Sequence, residues 1–284
     1  MLDTRLININ LIGMRKFLFI AAATVCLPSF GSAHEFWIDS SKYQVENGES
    51  IVADLRNGQK FEGVSLPFNQ HSFERFDVTV DGVTRDVVGR IGDRPGLNEV
   101  AAQNGLHVYA YQSKISHVTY KVFEKFQSFA DHKDFKDMQA DHTARGLPVE
   151  NFKEAYTRYA KALIAVGDGN GNDVATGLET ELVALQNPYV DDLGGVISVQ
   201  AFYQGKPRAQ TQIELFAKSP DGAVEVSIHQ TNDDGIAVLP AVSGVEYLVD
   251  AVVLRVPDEA VASQRGAVWE TLWASLTYSI PPAP

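Results

Sequence analysis

His34 is the residue whose position offers the clearest chemistry in this chain. If the segment before it is removed, its free α-amine and its imidazole Nδ1 form a chelating pair on one residue. An α-amine has a pKa of about 8, so a metal ion can displace its proton at neutral pH. One further histidine would complete a three-nitrogen set that suits Cu(II) or Ni(II). The sequence therefore predicts a metal site at His34, with packing beside Trp37 as the structural alternative.

A second ligand has to come from another histidine, and we expect it to be His107. This residue alternates with Tyr109 and Tyr111 along a predicted strand, so the three side chains share one face. We expect that face to be polar and solvated, which leaves room for a ligand. The other candidates are His71, His117, His132, His142 and His229.

Two of these histidines follow aspartates on a predicted helix, in Asp131-His132 and Asp141-His142. Their spacing of ten residues turns them apart by about 80° on a straight helix. We therefore expect them to lie on a solvated acidic face and not to share one metal ion.

Composition and motifs exclude several other functions. The sole cysteine is Cys26, which lies in the N-terminal segment, so the rest of the chain has no thiolate ligand and no cysteine nucleophile. The formal net charge of −12 disfavours nucleic acid and anionic membranes as partners. The sequence contains no Gly-x-Ser-x-Gly elbow, no His-Glu-x-x-His pair and no phosphate loop. We predict that the protein is not an enzyme.

Residues 1–33 are typical of a secretory signal peptide, with Met14 as the expected start. Arg15 and Lys16 give its positive region, an apolar run follows, and Gly31-Ser32-Ala33 offers a small-residue cleavage site. The apolar run is shorter than the roughly 20 residues that span a bilayer. We expect export to the periplasm, cleavage after Ala33 and no membrane insertion afterwards.

The remaining chain has mainly β texture with a helical insertion. We predict an N-terminal β-sandwich domain over residues 34–190, containing helices at about 121–142 and 149–166. Asp191 to Gly195 then mark a boundary. Strands separated by turn signals over 195–281 predict a C-terminal immunoglobulin-like sandwich.

Several motifs together carry a family resemblance. In chain order they are His34-Glu35-Phe36-Trp37, Gly58-Gln59-Lys60-Phe61-Glu62-Gly63, Leu66-Pro67-Phe68, Gly105-Leu106-His107-Val108, Tyr156-Thr157-Arg158-Tyr159-Ala160-Lys161-Ala162-Leu163, Asn187-Pro188-Tyr189 and Trp273-Ala274-Ser275-Leu276-Thr277. The chain resembles the bacterial exported family described as domain of unknown function 4198. That resemblance implies a periplasmic component of nickel or cobalt uptake.

The C-terminal segment also resembles the carboxypeptidase-regulatory or Cna-B type of sandwich. The resembling pieces are Gly205-Lys206-Pro207, Thr231-Asn232-Asp233-Asp234-Gly235 and Tyr247-Leu248-Val249. Many relatives carry a histidine after the strand that matches Val249 to Leu254. This chain has Arg255 there, so one possible ligand is missing.

Three functions follow as hypotheses. The preferred one is a periplasmic protein that binds nickel or cobalt at His34 and His107 and delivers the metal ion to a membrane permease complex. The alternative is an exported, non-catalytic binding or scaffold module for a carbohydrate or a protein. A copper redox enzyme built on the same terminal histidine ranks last, and copper is the less expected metal.

Overall fold

Alternating and fully apolar runs form strands through most of residues 34–282, which are the residues that the computed structural model describes. The predicted signal peptide lies outside these residues. The strands are, in chain order, β1 (Glu35–Ser40), β2 (Gln44–Val45), β3 (Ser50–Gln59), β4 (Glu62–Leu66), β5 (Phe73–Val80), β6 (Val83–Asp86), β7 (Leu97–Val100), β8 (Gly105–Ser113), β9 (Ser116–Tyr120), β10 (Phe152–Val166), β11 (Thr180–Ala184), β12 (Val196–Tyr203), β13 (Lys206–Pro207), β14 (Gln212–Lys218), β15 (Val224–Gln230), β16 (Ile236–Pro240), β17 (Glu246–Arg255) and β18 (Ala267–Ser279). The helices are α1 (Phe123–His132), α2 (Met138–Ala144) and α3 (Glu259–Arg265). The prediction of a mainly β protein with a helical insertion is confirmed.

These strands form three sheets. The central sheet has ten strands, in the order β15-β14-β17-β18-β10-β8-β5-β6, with β2 and β9 pairing with β10. A second sheet contains β1, β3, β4 and β7, and a third contains β11, β12, β13 and β16. The β10–β18 and β10–β2 pairs are parallel, and the other pairs are antiparallel.

The central sheet has a covered layer on each face. We call the face that carries Asp250, Trp273 and Ser275 the front face, since these side chains alternate with residues that point the other way. The second sheet packs on the front face through one apolar core, which includes Phe36 and Ile38. The helices α1 and α2 cover the rest of that face through an aromatic core. The third sheet packs on the opposite face.

The prediction of a helix at about 149–166 is wrong, because this segment forms β10. Tyr156 and Tyr159 fit a helical stripe in sequence, yet they enter two different hydrophobic cores on opposite faces of the sheet. Residues from 157 to 166 are all buried, since β10 has neighbours on both edges and layers on both faces. A strand in such a position has no alternation to distinguish it from a buried helix.

The helix predicted at about 121–142 is two short helices. Asp134 and Asp137 both adopt left-handed backbone angles, with φ of 63° and 60°, and these residues end the continuous helical path between α1 and α2. The helix α3 was not predicted. It begins after Asp258, whose side chain accepts a hydrogen bond from the Val261 N–H, as an N-cap does.

The boundary predicted at about 191–195 lies in a connection between β11 and β12. The central sheet takes strands from both sides of it, since β10 pairs with β18 over residues 153–162. All described residues belong to one compact unit. Within the described part of the chain, no helix is long and apolar enough to cross a bilayer.

The strand β1 belongs to the second sheet and lies against the front face of the central sheet. The Ser275 hydroxyl donates to the Phe36 carbonyl at 2.7 Å, and the Thr277 hydroxyl donates to the Ile38 carbonyl at 2.7 Å. On its other edge β1 pairs with β3. Its first residue, Glu35, is therefore fixed at the point where the second sheet meets the helical insertion.

Candidate functional site

His34 precedes β1 directly and is exposed. It borders a shallow surface groove of 440 Å³, which is otherwise lined by the β3–β4 hairpin, including Asn57, Gln59 and Glu62. The hairpin runs very close there, because an added Cβ on Gly58 would lie only 2.0 Å from the Glu62 carbonyl oxygen. The predicted chelating residue is thus accessible and stands at a well-defined surface.

The next residue, Glu35, points inward to a buried group of charged side chains. Four elements supply this group, which we call the Lys133 cluster: Glu35 from β1, Lys133 from the end of α1, Glu214 from β14 and Asp250 from β17. All four residues are buried. Glu214 and Asp250 are paired neighbours in the central sheet, so their side chains share its front face.

Lys133 reaches the cluster because of the helical spacing of α1. Phe126, Phe129 and Ala130 are the buried stripe of this helix, and Lys133 follows four residues after Phe129 on the same side. Its ammonium lies 5.0 Å from the centre of the Trp273 ring on the front face. The aromatic stripe therefore carries a charged side chain into the interior.

The Lys133 ammonium lies among the three carboxylates. It donates to Glu214 Oε2 at 2.5 Å and to Asp250 Oδ2 at 2.8 Å, and it lies 3.6 Å from Glu35 Oε1. One ligand oxygen from each carboxylate lies within 4.8 Å of the others. Among the described residues, this is the group of three or more His, Cys, Asp or Glu side chains with a geometry that could hold a metal ion.

The cluster has more acceptors than one ammonium can satisfy. Glu35 Oε2 and Asp250 Oδ1 are buried without a hydrogen-bond partner among the described residues. Buried polar atoms usually have partners, so two unpaired oxygens in one group are exceptional. The nearby Arg158 guanidinium stacks over Trp273 at 4.3 Å, and its Nη1 is also unpaired.

The electrostatics of the carboxylates differ. Burial, reinforced by Asp250, raises the pKa of Glu35 to about 7, although Lys133 opposes the shift. Burial also raises the pKa of Asp250. Burial alone would raise the pKa of Glu214, but hydrogen bonds and charge from His132 and Lys133 lower it to about 2. Glu214 is therefore the firmly ionised member of the group.

His132 connects the Lys133 cluster to solvent. Its Nε2 lies 3.3 Å from Glu214 Oε1, and its side chain is 57% exposed. The hydrogen bond to Glu214 raises the pKa of His132, although burial opposes the shift. The Gln212 side chain donates to the His132 carbonyl at 2.9 Å and holds this end of α1 on β14. A histidine thus stands at the mouth of the carboxylate group.

The structure does not bring His107 and His34 together. His107 pairs with Ile164 on β10, whereas Phe36 is fixed to Ser275, which pairs with Ala160. Four residues of strand separate these levels by about 13 Å, and His34 lies farther in the opposite direction.

The expected solvated face around His107 is also wrong. The residue is buried, its Nε2 lies 2.9 Å from the Gln103 carbonyl oxygen and its ring stacks on Tyr109. Burial lowers the pKa of His107. Tyr109 and Tyr111 belong to the core under the second sheet, which covers this face. His107 therefore has a structural environment.

The predicted acidic face around His132 and His142 is only half correct. His142 is buried, accepts a hydrogen bond from Trp269 Nε1 at 3.0 Å and donates from Nε2 to the Pro148 carbonyl at 2.9 Å. It holds α2 against the sheet. Of the remaining predicted ligand candidates, His71 and His117 are exposed and His229 contacts Ser227, away from the Lys133 cluster.

Sequence reasoning missed the Lys133 cluster, although weak signals for it exist. Lys133 continues the buried stripe of a helix, and Glu214 and Asp250 interrupt otherwise apolar strands. A charge in such a run indicates a buried ionic group. No sequence pattern shows that these three positions meet Glu35.

The donor set fits a divalent cation. Carboxylate oxygens bind hard and borderline ions, and imidazole nitrogens favour nickel, cobalt, zinc and copper. Among the described residues, the groups that could hold an ion there are carboxylates, and none is a thiolate. The Lys133 ammonium already lies among the three carboxylates, which is where a divalent cation would also be attracted.

Fold and site together define a mainly β protein with a helical insertion over a buried charged cluster. A family model described as "Domain of unknown function (DUF4198)" matches residues 31–255, and the chain belongs to this family. No curated protein matches.

Two solved structures show low similarity. The D0–D1 domain of intimin is 12% identical, with 86% of this chain and 97% of that chain covered and a TM-score of 0.20. Salmonella alpha-2-macroglobulin reacted with methylamine is 14% identical, with 89% and 15% covered and a TM-score of 0.21. Scores at this level carry no argument about function.

Proposed function

We propose that this protein is an exported, non-catalytic metal-binding protein of the periplasm that captures a divalent transition-metal ion, nickel or cobalt, and delivers it to an uptake permease. The observation that carries the proposal is the convergence of three buried carboxylates, one of which belongs to Glu35, the residue after His34, with His132 on Glu214. The metal ion is the cargo of the protein.

The proposed ligands replace the pair expected from sequence. His34 would supply its α-amine and imidazole after cleavage, and His132 with Glu214 would supply a further nitrogen and oxygen. His132 and Glu214 already contact each other, and Glu35 joins His34 to the cluster through one peptide bond. His107 has no part in this site, because it lies at the other end of β10.

Lys133 is expected to make metal binding reversible. Its ammonium competes with a metal ion for Glu214, so affinity is moderate and release is possible. A protein that delivers its cargo needs such reversibility. A metal ion that also reached Glu35 and Asp250 would provide the partners that Glu35 Oε2 and Asp250 Oδ1 lack.

The role of the terminus is tested by two forms of the protein, one beginning at His34 and one with a single extra residue before it. Calorimetric titration with Ni(II) or Co(II) should show weaker binding to the extended form by at least about tenfold, because the amine is then an amide. Equal binding by both forms would remove His34 from the site.

The facing ligands are tested by His132→Ala, with His107→Ala and His71→Ala as matched histidine deletions. We expect at least about a tenfold loss of Ni(II) affinity for His132→Ala and none for His71→Ala, which removes an exposed histidine elsewhere. Equal losses in all three variants would show that binding is non-specific.

A second candidate function is a non-catalytic binding or scaffold module without metal. It is favoured by the two short contacts through which Lys133 already neutralises Glu214 and Asp250. The variant Lys133→Met discriminates the two functions. A metal-binding site should gain Ni(II) affinity when the competing ammonium is removed, whereas a purely structural cluster should only lose stability.

A further inference from the structure

The strand β15 forms one end of the ten-stranded sheet and presents an open edge. It pairs along its length with β14, from Val224 opposite Lys218 to Gln230 opposite Gln212. Among the described residues, no backbone or side-chain group hydrogen-bonds the outward N–H and C=O groups of residues 224–230. Such an edge can accept another strand.

This edge lacks the features that usually prevent strand addition. Edge strands are protected by shortness, lysine, proline or a bulge. β15 has seven residues, contains no lysine or proline and keeps an unbroken register with β14. The strand at the other end of the sheet, β6, has four residues, all exposed, and includes Arg85 and Asp86. The β6 end of the sheet is therefore protected against strand addition, whereas the β15 end is not.

The side chains of β15 divide between two faces. Val224 and Val226 pack against the core that contains Trp37 and Phe216. Ile228 continues this apolar row but is 55% exposed. Glu225, Ser227 and His229 alternate with them on the opposite face, where Ser227 and His229 contact each other at 2.9 Å. The apolar row thus ends uncovered at the edge of the sheet.

The sequence of β15 is complementary to itself when it is read antiparallel about Ser227. In that register Glu225 of one copy stands opposite His229 of the other, and Val226 stands opposite Ile228. A hydrogen-bonding imidazole–carboxylate pair and an apolar pair both stabilise an antiparallel ladder. A two-fold axis through Ser227 repeats each pair twice, as a closed dimer requires.

We propose that β15 is a self-association surface, at which a second copy of this chain adds its own β15 antiparallel and joins the two ten-stranded sheets into one. The pairing covers Ile228 and satisfies the open backbone groups. The contact is small, so the dimer is expected to be weak, with a dissociation constant on the order of micromolar. The dimer needs no metal ion and is expected in the metal-free protein, although Ile228 pairs with Glu214 and so borders the Lys133 cluster.

Analytical ultracentrifugation from about 1 to 100 μM, a range set around this affinity, tests the proposal. The protein should show a reversible monomer–dimer equilibrium. Ile228→Lys should weaken the dimer by at least about tenfold, because a charge replaces each apolar cross-strand pair. Val83→Lys, at a valine on β6 that is 69% exposed, should leave the equilibrium unchanged.

A charge reversal tests the register. His229→Glu places carboxylates opposite Glu225 in both symmetric pairs and should abolish the dimer. The double variant Glu225→Lys with His229→Glu should restore it. A monomer throughout the concentration range, a dimer that survives Ile228→Lys, or no rescue by the double variant would overturn the proposal. Circular dichroism of each variant confirms that its fold is retained.

Discussion

Two lysines are buried among residues 34–282, and their surroundings differ. The Lys161 ammonium donates to Asp173 at 2.6 Å and to the carbonyls of Val174 and Leu182 at 3.0 Å each. The second oxygen of Asp173 accepts from the Ala184 N–H at 2.8 Å. Every strong donor and acceptor is used there. Lys133 instead meets three carboxylates, two of which keep an unpaired oxygen.

The difference separates an ion pair that only holds a loop in place from a site that can still bind a cation. Lys161 and Asp173 fix the loop after β10 to β11, and Glu181 lies 3.9 Å from the same ammonium. Both oxygens of Glu181 accept hydrogen bonds, from Thr176 and from the Gly177 N–H. The Lys133 cluster has three acidic groups around one lysine, with Arg158 beside it and His132 next to solvent. A group with unpaired carboxylate oxygens can accept a proton or a cation, whereas a group whose carboxylate oxygens are all hydrogen-bonded has no free acceptor.

The largest expected loss of stability is at Lys161. Lys161→Met would leave Asp173 buried without its counter-ion and remove three hydrogen bonds, so the free energy of unfolding should fall by about 3–5 kcal/mol. Urea unfolding measures this loss. Asp173→Asn is the companion variant and should also destabilise, because the ammonium then remains without its counter-ion. A loss below about 1 kcal/mol would show that the Lys161–Asp173 pair does not stabilise the fold.

A smaller loss is expected at the Lys133 cluster. Lys133→Met should lower the free energy of unfolding by about 2–4 kcal/mol, because its carboxylates can take up protons and His132 admits solvent at the mouth. The same urea titration, repeated with Ni(II), should recover part of the loss in this variant and none in Lys161→Met. Equal behaviour of the two variants toward metal would erase the distinction between the sites.

Glu154 provides a buried carboxyl that has no lysine at all. It is fully buried and accepts hydrogen bonds from Thr271 and Tyr120, and burial raises its pKa from 4.5 to about 7 despite these bonds. A raised folded-state pKa means that the protonated form is favoured by folding. Its contribution is therefore fully present below about pH 4.5 and is lost as the pH rises through about 7.

Glu154→Gln should remove this part of the pH dependence, which amounts to about 2–3 kcal/mol between pH 5 and pH 8. Unfolding free energies measured across that range provide the check. Glu150→Gln, at an exposed carboxyl, serves as the control. If the unfolding free energy of Glu154→Gln depends on pH as it does in the wild type, a group other than Glu154 takes up the proton.

The smallest effect concerns the other attachment of the helical insertion. Arg145 is exposed, stacks over Trp269 at 4.4 Å and donates to the Val268 carbonyl at 2.9 Å. Arg145→Ala should cost about 1 kcal/mol, as exposed cation–π contacts do. A thermal melt followed by circular dichroism detects it. A loss as large as that of Lys133→Met would mean that the cluster is not the main anchor of α1.

Much of the fold was predictable because alternation survives in strands with one buried face. The strands β3 and β12 follow their alternating patterns and turn signals. The strand β10 was not predictable in this way, since layers on both faces removed its alternation. His107 was misplaced for a related reason: the polar character of Tyr109 and Tyr111 indicated solvent, but the second sheet covers them.

The site was less predictable than the fold. His34 was identified from its position after a cleavage motif, which is a local property of the sequence. The Lys133 cluster depends on four segments that meet only through long-range packing, and a single sequence does not contain that information. The one local signal was the charged residue at the end of the aromatic stripe of α1.

The attachment of β1 has a consequence for the order of folding. Phe36 and Ser275, which share a buried hydrogen bond, are 239 residues apart. Contacts between such distant segments form late, because a long loop must close before they stabilise anything. The packing of β1 therefore requires β18, and a nascent chain that lacks β18 cannot complete its core. The core of this protein is therefore completed only when synthesis of β18 has ended.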